Sequence, residues 1–220
     1  MIPVMIAARL GSSRLPNKML LDLGGMPVIE HMVKRCSHFG FRPIICCNFR
    51  EDAEKFSAET SCLDVFGTTS DVETALIECA MHYGLSVFHQ IDGDDPFFCR
   101  DMVVASVQCF RQGKFSRILP SIYSQSGSGL VGTSYNLPAP EDSVVEVLPD
   151  PANAIWPQRL TLDYEEDYHL LSAVNRMVGG YMAPRWAVDQ LFERNPDLHK
   201  INWFRNEEWK RKQLSDKYRK

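Results

Sequence analysis

An α/β fold with a mostly parallel central sheet, layered in the Rossmann-like manner, is what the sequence predicts, and three observations carry it. Short apolar runs alternate with longer segments of helical period, the pattern of βαβ units. The 220 residues are 45% hydrophobic and 24% charged, which suits one buried core rather than disorder. No internal repeat or long composition break divides the chain, so one domain over 1–220 is expected.

Taken in order, residues 2–8 read as a first strand. Arg9 interrupts this apolar start far short of a signal-peptide core or a membrane span. A loop covers 9–18. Residues 27–39 then read as a helix, because Val28, Met32, Val33 and Cys36 fall on one face and Pro27 suits a first turn. PIICC at 43–47 makes a second buried strand, 51–60 a polar-faced helix and LDVF a short extended stretch. Over 70–83, Val72, Ala75, Leu76, Cys79, Ala80 and Tyr83 recur at helical spacing behind the capping candidates Ser70 and Asp71. LSVFHQI at 85–91 is a strand running into GDDP at 93–96. The Gly, Ser and Pro of 124–143 predict a surface loop or flap. RLTLD at 159–163 ends another predicted strand, with helices to follow at about 164–177, 184–194 and 204–213.

The net charge of -4 and pI near 5.9 imply no whole-chain attraction to nucleic acid or to an anionic membrane, so phosphate chemistry needs locally placed cations. Seven cysteines (36, 46, 47, 62, 79, 99 and 109) stand in apolar segments without CxxC spacing, which reads as reduced, mostly buried thiols in a cytoplasmic protein. His31 and His82 fall on predicted helices and read as packed side chains rather than catalysts. Trp203 and Trp209 with their basic neighbours fit a packing helix better than a nucleic-acid surface.

Between the first strand and the first helix, AARLGSSRLPNKML at 7–20 gathers Arg9, Arg14 and Lys18 with Gly11, Ser12 and Ser13. Glycine permits a tight turn whose amides converge on anionic oxygens, while the cations neutralise charge the amides cannot. The place, beyond the carboxyl end of a strand, is where open α/β sheets bind ligands. By composition alone the loop also fits an ordinary basic surface loop, and it is neither a Walker A nor a GxGxxG pattern. Asp94 in GDDP and Asp163 in RLTLD are both expected at strand ends on the same rim, where two carboxylates suit a hard dication such as Mg²⁺. Each also suits a turn or a helix N-cap, and only the pair beside the basic loop favours a metal.

The string ARLGSSRLPNKML followed by GGMPVIEHMVKR resembles the amino-terminal signature of the CMP-sugar-acid synthetases. These include the 3-deoxy-manno-octulosonate and acylneuraminate cytidylyltransferases and the spore-coat polysaccharide cytidylyltransferase-like proteins, the last fitting best. FGTTSDVETALIECA, QIDGDDPFFCRDMV, RLTLDYEEDYHLL and LFERNPDLHKIN are similar again, while about 120–155 has no clear counterpart. The resemblance implies a glycosyltransferase-A-like nucleotidyltransferase fold and transfer of CMP from CTP to an acidic sugar of the 2-keto-3-deoxy class. Pyrophosphate would be released, in the service of surface polysaccharide biosynthesis. It matches Asp94 and Asp163 to the metal ligands and places Arg9 and Lys18, with Asp94 and Asp163, among the catalytic residues. Ala7, Ala8, Arg9, Gly11, Ser12, Ser13, Arg14 and Lys18 would surround the nucleotide, and Gln90 and Asp92 its ribose or the acceptor. Expected partners are CTP and a small acidic acceptor, with no nucleic acid or membrane, and a homodimer is possible. A phosphonate or phosphorylated alcohol is the alternative acceptor. A catalytically silent nucleotide-binding subunit is the rival of another class.

Overall fold

A computed structural model describes residues 1–110, 115–120, 132–137, 144–148, 158–209 and 211. The first strand, β1 (Pro3–Ala7), pairs in parallel with β2 (Arg42–Cys47) and β4 (Val87–Asp92), and β3 (Val65–Gly67) pairs in parallel with β2. Beyond β4 the direction reverses. β6 (Thr133–Asn136) runs antiparallel to β4 and to β5 (Phe115–Pro120), and β7 (Val144–Leu148) closes the order 3-2-1-4-6-5-7 in parallel with β5.

Alternation along the parallel strands assigns the two faces. Val4, Ile6, Ile45, Cys47 and Ile91 pack in one cluster with α1 (Val28–His38), α2 (Arg50–Glu59), α4 (Arg100–Cys109), α5 (Glu165–Val178) and α6 (Arg185–Arg194). Met5, Ile44, Cys46 and Phe88 face the other way, against Ala75, Leu76, Cys79 and Ala80 of α3 (Val72–His82). A strand buried on both sides cannot alternate polar with apolar, which is why β1 and β2 read as continuous apolar runs. The three layers of the expected α/β fold are therefore present.

Helix ends follow the expected chemistry. Pro27 and Pro184 precede α1 and α6, and Asp71 caps α3 by accepting from the backbone N–H groups of Glu73 and Thr74. His31 is buried against Asn175, 3.0 Å away, and burial lowers it to about 4, so it stays neutral. All seven cysteines are free thiols, and only Cys109 is not buried. No helix among the described residues is long and apolar enough to cross a membrane.

Two expectations are corrected. RLTLD is irregular chain with a bend at Thr161 and joins no ladder among the described residues. Its five residues, Arg159 to Asp163, are all buried, so the segment is surrounded rather than half-exposed as an edge strand would be. Within the expected flap at 124–143, Thr133–Asn136 is a strand: TSYN suits a pleated surface, and its register against Val87–Gln90 joins it to the sheet. Most of the rest of that flap lies outside the described residues. Of the helix expected at about 204–213, residues 205–209 and 211 are described and are helical. Helix α4 and strands β5 and β7 are additions, since no clear period marked them.

Candidate active site

The carboxyl ends of β1 and β4 lie side by side, and the loops that leave them build the site. Ala8 N–H donates to Cys46 O at 3.0 Å, and Gly93 N–H to Ala7 O at 2.8 Å, which locks the GDDP turn onto the end of β1. A Cβ at Gly93 would stand 2.9 Å from Ala7 O and 2.9 Å from Met19 Cε, so only glycine permits this approach. Gly93→Ala is expected to destabilise by about 1–3 kcal/mol through overpacking and to cut turnover at least ~10-fold by displacing Asp94. Melting temperature and initial rate check this together, and an unchanged rate would uncouple the turn from the chemistry.

The loop after β1 is held from below by α2, whose buried Asp52 accepts Leu10 N–H at 2.9 Å. Asn17 takes a left-handed conformation, φ 54, which asparagine tolerates, and the chain then enters a single 3-10 turn, Lys18–Leu20. Lys18 is thereby buried at the foot of the loop with its ammonium between two carboxylates, 2.5 Å from Asp94 Oδ2 and 2.9 Å from Asp163 Oδ1. Arg14 Nη2 reaches the same Asp163 oxygen at 2.7 Å.

Asp163 arrives from far along the chain. Leu162 N–H donates to Asp94 O at 2.7 Å, so one backbone hydrogen bond stitches the 159–163 segment to the GDDP turn and sets the two aspartates side by side. The expected rim pair is thus brought together, though Asp163 comes from a buried irregular segment and not from a strand end. The N-cap reading of Asp163 does not hold either. Tyr164 is the cap position of α5, and the Asp167 carboxylate accepts the N–H groups of Asp163 at 2.9 Å and Tyr164 at 3.0 Å.

Charge in this cleft is close to balanced. Burial disfavours the Lys18 ammonium, but Asp94 and Asp163 outweigh it and raise its pKa above the ordinary value. Burial likewise works against ionised Asp163, and Lys18 and Arg14 reverse that, holding its carboxyl below the usual range. Crowding at the cleft floor and the charge of Asp94 push Asp92 up to about 6, although its side chain still faces solvent. Asp95 is buried, and desolvation with Asp94 and Asp92 beside it raises its carboxyl well above the ordinary value. Arg9 is exposed on the cleft wall and makes no ion pair among the described residues, which leaves its guanidinium available.

A cavity of about 250 Å³ opens here. Ala7, Ala8, Arg9, Arg14, Lys18, Asp92 and Asp94 line it. Gly11 and Ser13 are exposed on the loop, Ser12 Oγ accepts Leu15 N–H, and Gln90 donates to Asp92 at 2.7 Å, so these four stand outside the cavity's lining. Of the remaining lining, Cys46, Asn48, Val72, Ala75 and Leu76 were not singled out for function by the sequence. Their only signal was the apolar period of α3, which reads as core, yet Val72 is 48% exposed. The lining therefore combines ionic side chains with apolar ones, the two kinds of surface a nucleotide needs for its phosphates and its base.

The donor set fits a hard divalent cation. Two carboxylates converge on one position filled by an ammonium, and oxygens of Asp92, Asp94 and Asp95 lie within 4.8 Å of one another.

Comparison with known proteins gives a consistent picture. The family model described as cytidylyltransferase matches residues 3–148. The chain is 28% identical over 171 residues, 74% of its length, to a 3-deoxy-manno-octulosonate cytidylyltransferase of Herminiimonas arsenicoxydans. It is 34% identical over 107 residues, 46% of its length, to the protein of that description from Idiomarina loihiensis. These matches span only 64% and 42% of the two relatives' own lengths. In fold, the chain is similar to a cytidylyltransferase of Leptospira borgpetersenii, with TM-score 0.75 and 17% identity over 90% of this chain and 95% of that one. It is also similar to a CMP:2-keto-3-deoxy-manno-octonic acid synthetase complexed with CTP, with TM-score 0.59 and 14% identity over 80% and 99%.

Proposed function

The chain belongs to the cytidylyltransferase family, and from that premise we propose that it transfers CMP from CTP to an acidic sugar of the 2-keto-3-deoxy class, releasing pyrophosphate, for surface polysaccharide synthesis. The observation that carries this reading is a cavity lined by Arg9, Arg14, Lys18 and Asp94 together with apolar side chains, with Asp163 paired to Lys18 and Arg14 beside it.

The reaction is in-line attack of an acceptor oxygen on the α-phosphorus, with the bond to the β-phosphate breaking as the new one forms. It needs positioning and charge neutralisation above all. Arg9 has no competing ion pair among the described residues and is the first cation a triphosphate meets. Lys18 and Arg14 balance carboxylates in the ligand-free cleft, and an incoming triphosphate offers them further anionic partners. Those same carboxylates repel phosphate, which is the physical reason for a bound dication. Asp94 and Asp163 would hold Mg²⁺, which would supply positive charge to offset the phosphate charge in the transition state. The apolar part of the lining, Val72, Ala75 and Leu76, receives the base.

Pyrophosphate release measured with CTP, Mg²⁺ and a panel of sugar acids, phosphonates and phosphorylated alcohols is the direct test. Turnover is expected with CTP and a sugar acid, and melting temperature should rise more with CTP than with the other three nucleotides. Turnover only with a phosphonate or phosphorylated alcohol would transfer the reading to that acceptor class. Stronger stabilisation by GTP or ATP would move the chain to another nucleotidyltransferase branch, and nucleotide binding without any turnover would make it a silent subunit.

A further inference from the structure

We propose that Asp167 is a positioning residue for this reaction: with Arg159 and Asn202 it sets the placement of the Asp163 carboxylate, so the carboxyl-terminal segment takes part in the site. The inference rests on the role given to Asp163 above.

Asp167 is fully buried and saturated with donors. Its Oδ1 accepts Arg159 Nε at 2.9 Å and Asn202 Nδ2 at 2.9 Å. Its Oδ2 accepts Arg159 Nη2 at 3.1 Å and the backbone N–H groups of Asp163 and Tyr164. Arg159, equally buried, spans from this carboxylate to Asp163 Oδ2 at 3.4 Å and to Asn206 Oδ1 at 3.3 Å. Asp163 is consequently held twice by one ion pair, firmly at its main-chain nitrogen and more loosely at one carboxylate oxygen. The other oxygen, Oδ1, is the one turned toward Lys18 and Arg14. Asn202 completes the hold by donating also to Arg159 O at 2.8 Å, which ties residue 202 to the start of the 159–163 segment.

Stability alone is a poor explanation for this arrangement. A fully buried ion pair repays its desolvation only with near-ideal geometry, and apolar residues of the same volume usually do as well or better. What such a network does provide is a fixed direction for the groups it touches, and the group it touches on the cleft side is Asp163. The network lies wholly beyond residue 148, where the family-model match ends.

The test is a double-mutant cycle on the full chain, reading kcat and the KM for CTP per folded molecule. Asp167→Asn keeps the shape and the backbone acceptor but weakens the hold of Arg159, and kcat is expected to fall at least ~10-fold with KM changed by less than ~3-fold. In an Asp163→Asn background the same change should cost less than ~3-fold, because there is no longer a carboxylate to position. If Asp167→Asn does not fold, Asn202→Ala, which removes two hydrogen bonds and no charge, carries the same cycle with the same sign. Losses that multiply across the cycle, or a lowered melting temperature with kcat per folded molecule unchanged, overturn the inference while leaving the proposed activity in place. A wild-type chain without turnover removes the activity, and the positioning role with it.

Discussion

Asp94→Asn and Asp163→Asn are each expected to lower Mg²⁺-supported turnover by at least ~100-fold, and the double variant to lose little more than either single one. Both carboxylates converge on one cation position, so a site missing one of them has little left for the second substitution to remove. Their effects on folding should differ. Asp94 is partly exposed and, among the described residues, pairs with Lys18 alone, so Asp94→Asn should shift the melting temperature little. Asp163 is 2% exposed and faces Lys18, Arg14 and Arg159, so its neutralisation leaves three cations, two of them buried, sharing one carboxylate fewer. A loss on the order of 3 kcal/mol is expected there, although a rim aspartate would contribute almost nothing. The cycle is read from initial rates with folding followed by thermal melting. Independent, multiplying losses, or full activity with excess chelator, would show that the two aspartates do not share a catalytic metal.

Lys18→Ala should weaken CTP binding or turnover by at least ~10-fold, about 1.4 kcal/mol or more. Two effects act in the same direction. The variant lacks a cation beside the triphosphate, and it leaves Asp94 and Asp163 facing each other without the ammonium that separates them. The second effect has its own signature. With its pKa raised, Lys18 is charged throughout the neutral range, so only its removal exposes the repulsion between the two carboxylates. Carboxylates that repel take up protons more readily, so the stability of Lys18→Ala relative to wild type should improve as pH falls toward the carboxylate range. Calorimetric titration with CTP and melting curves from neutral to mildly acidic pH separate the two contributions. Unchanged CTP affinity and turnover would remove Lys18 from the site.

Several parts of this protein were legible in its sequence because their cause is local. The period of Val28, Met32, Val33 and Cys36, the cap at Asp71 and the doubly apolar runs of β1 and β2 each follow from interactions within a few residues, and each element lies where the sequence puts it. The loop at 7–20 and the GDDP turn were legible for the same reason, since glycine and clustered charge announce tight turns and anion chemistry without reference to the rest of the chain. What only the tertiary structure decided is what these pieces face. Lys18 reads as a phosphate ligand, yet its ammonium stands between the two aspartates. RLTLD has the composition of a strand, but an interior position replaces ladder pairing with the single bond from Leu162 N–H to Asp94 O. Asn202 and Asn206 carry no local pattern, and Asp167, although its carboxylate caps the start of α5 locally, is completed by Asn202, a donor the fold delivers from afar. Helical and extended periods are set by the backbone and can be read in order. The direction of a carboxylate is set by partners that become neighbours only when the chain has closed on itself.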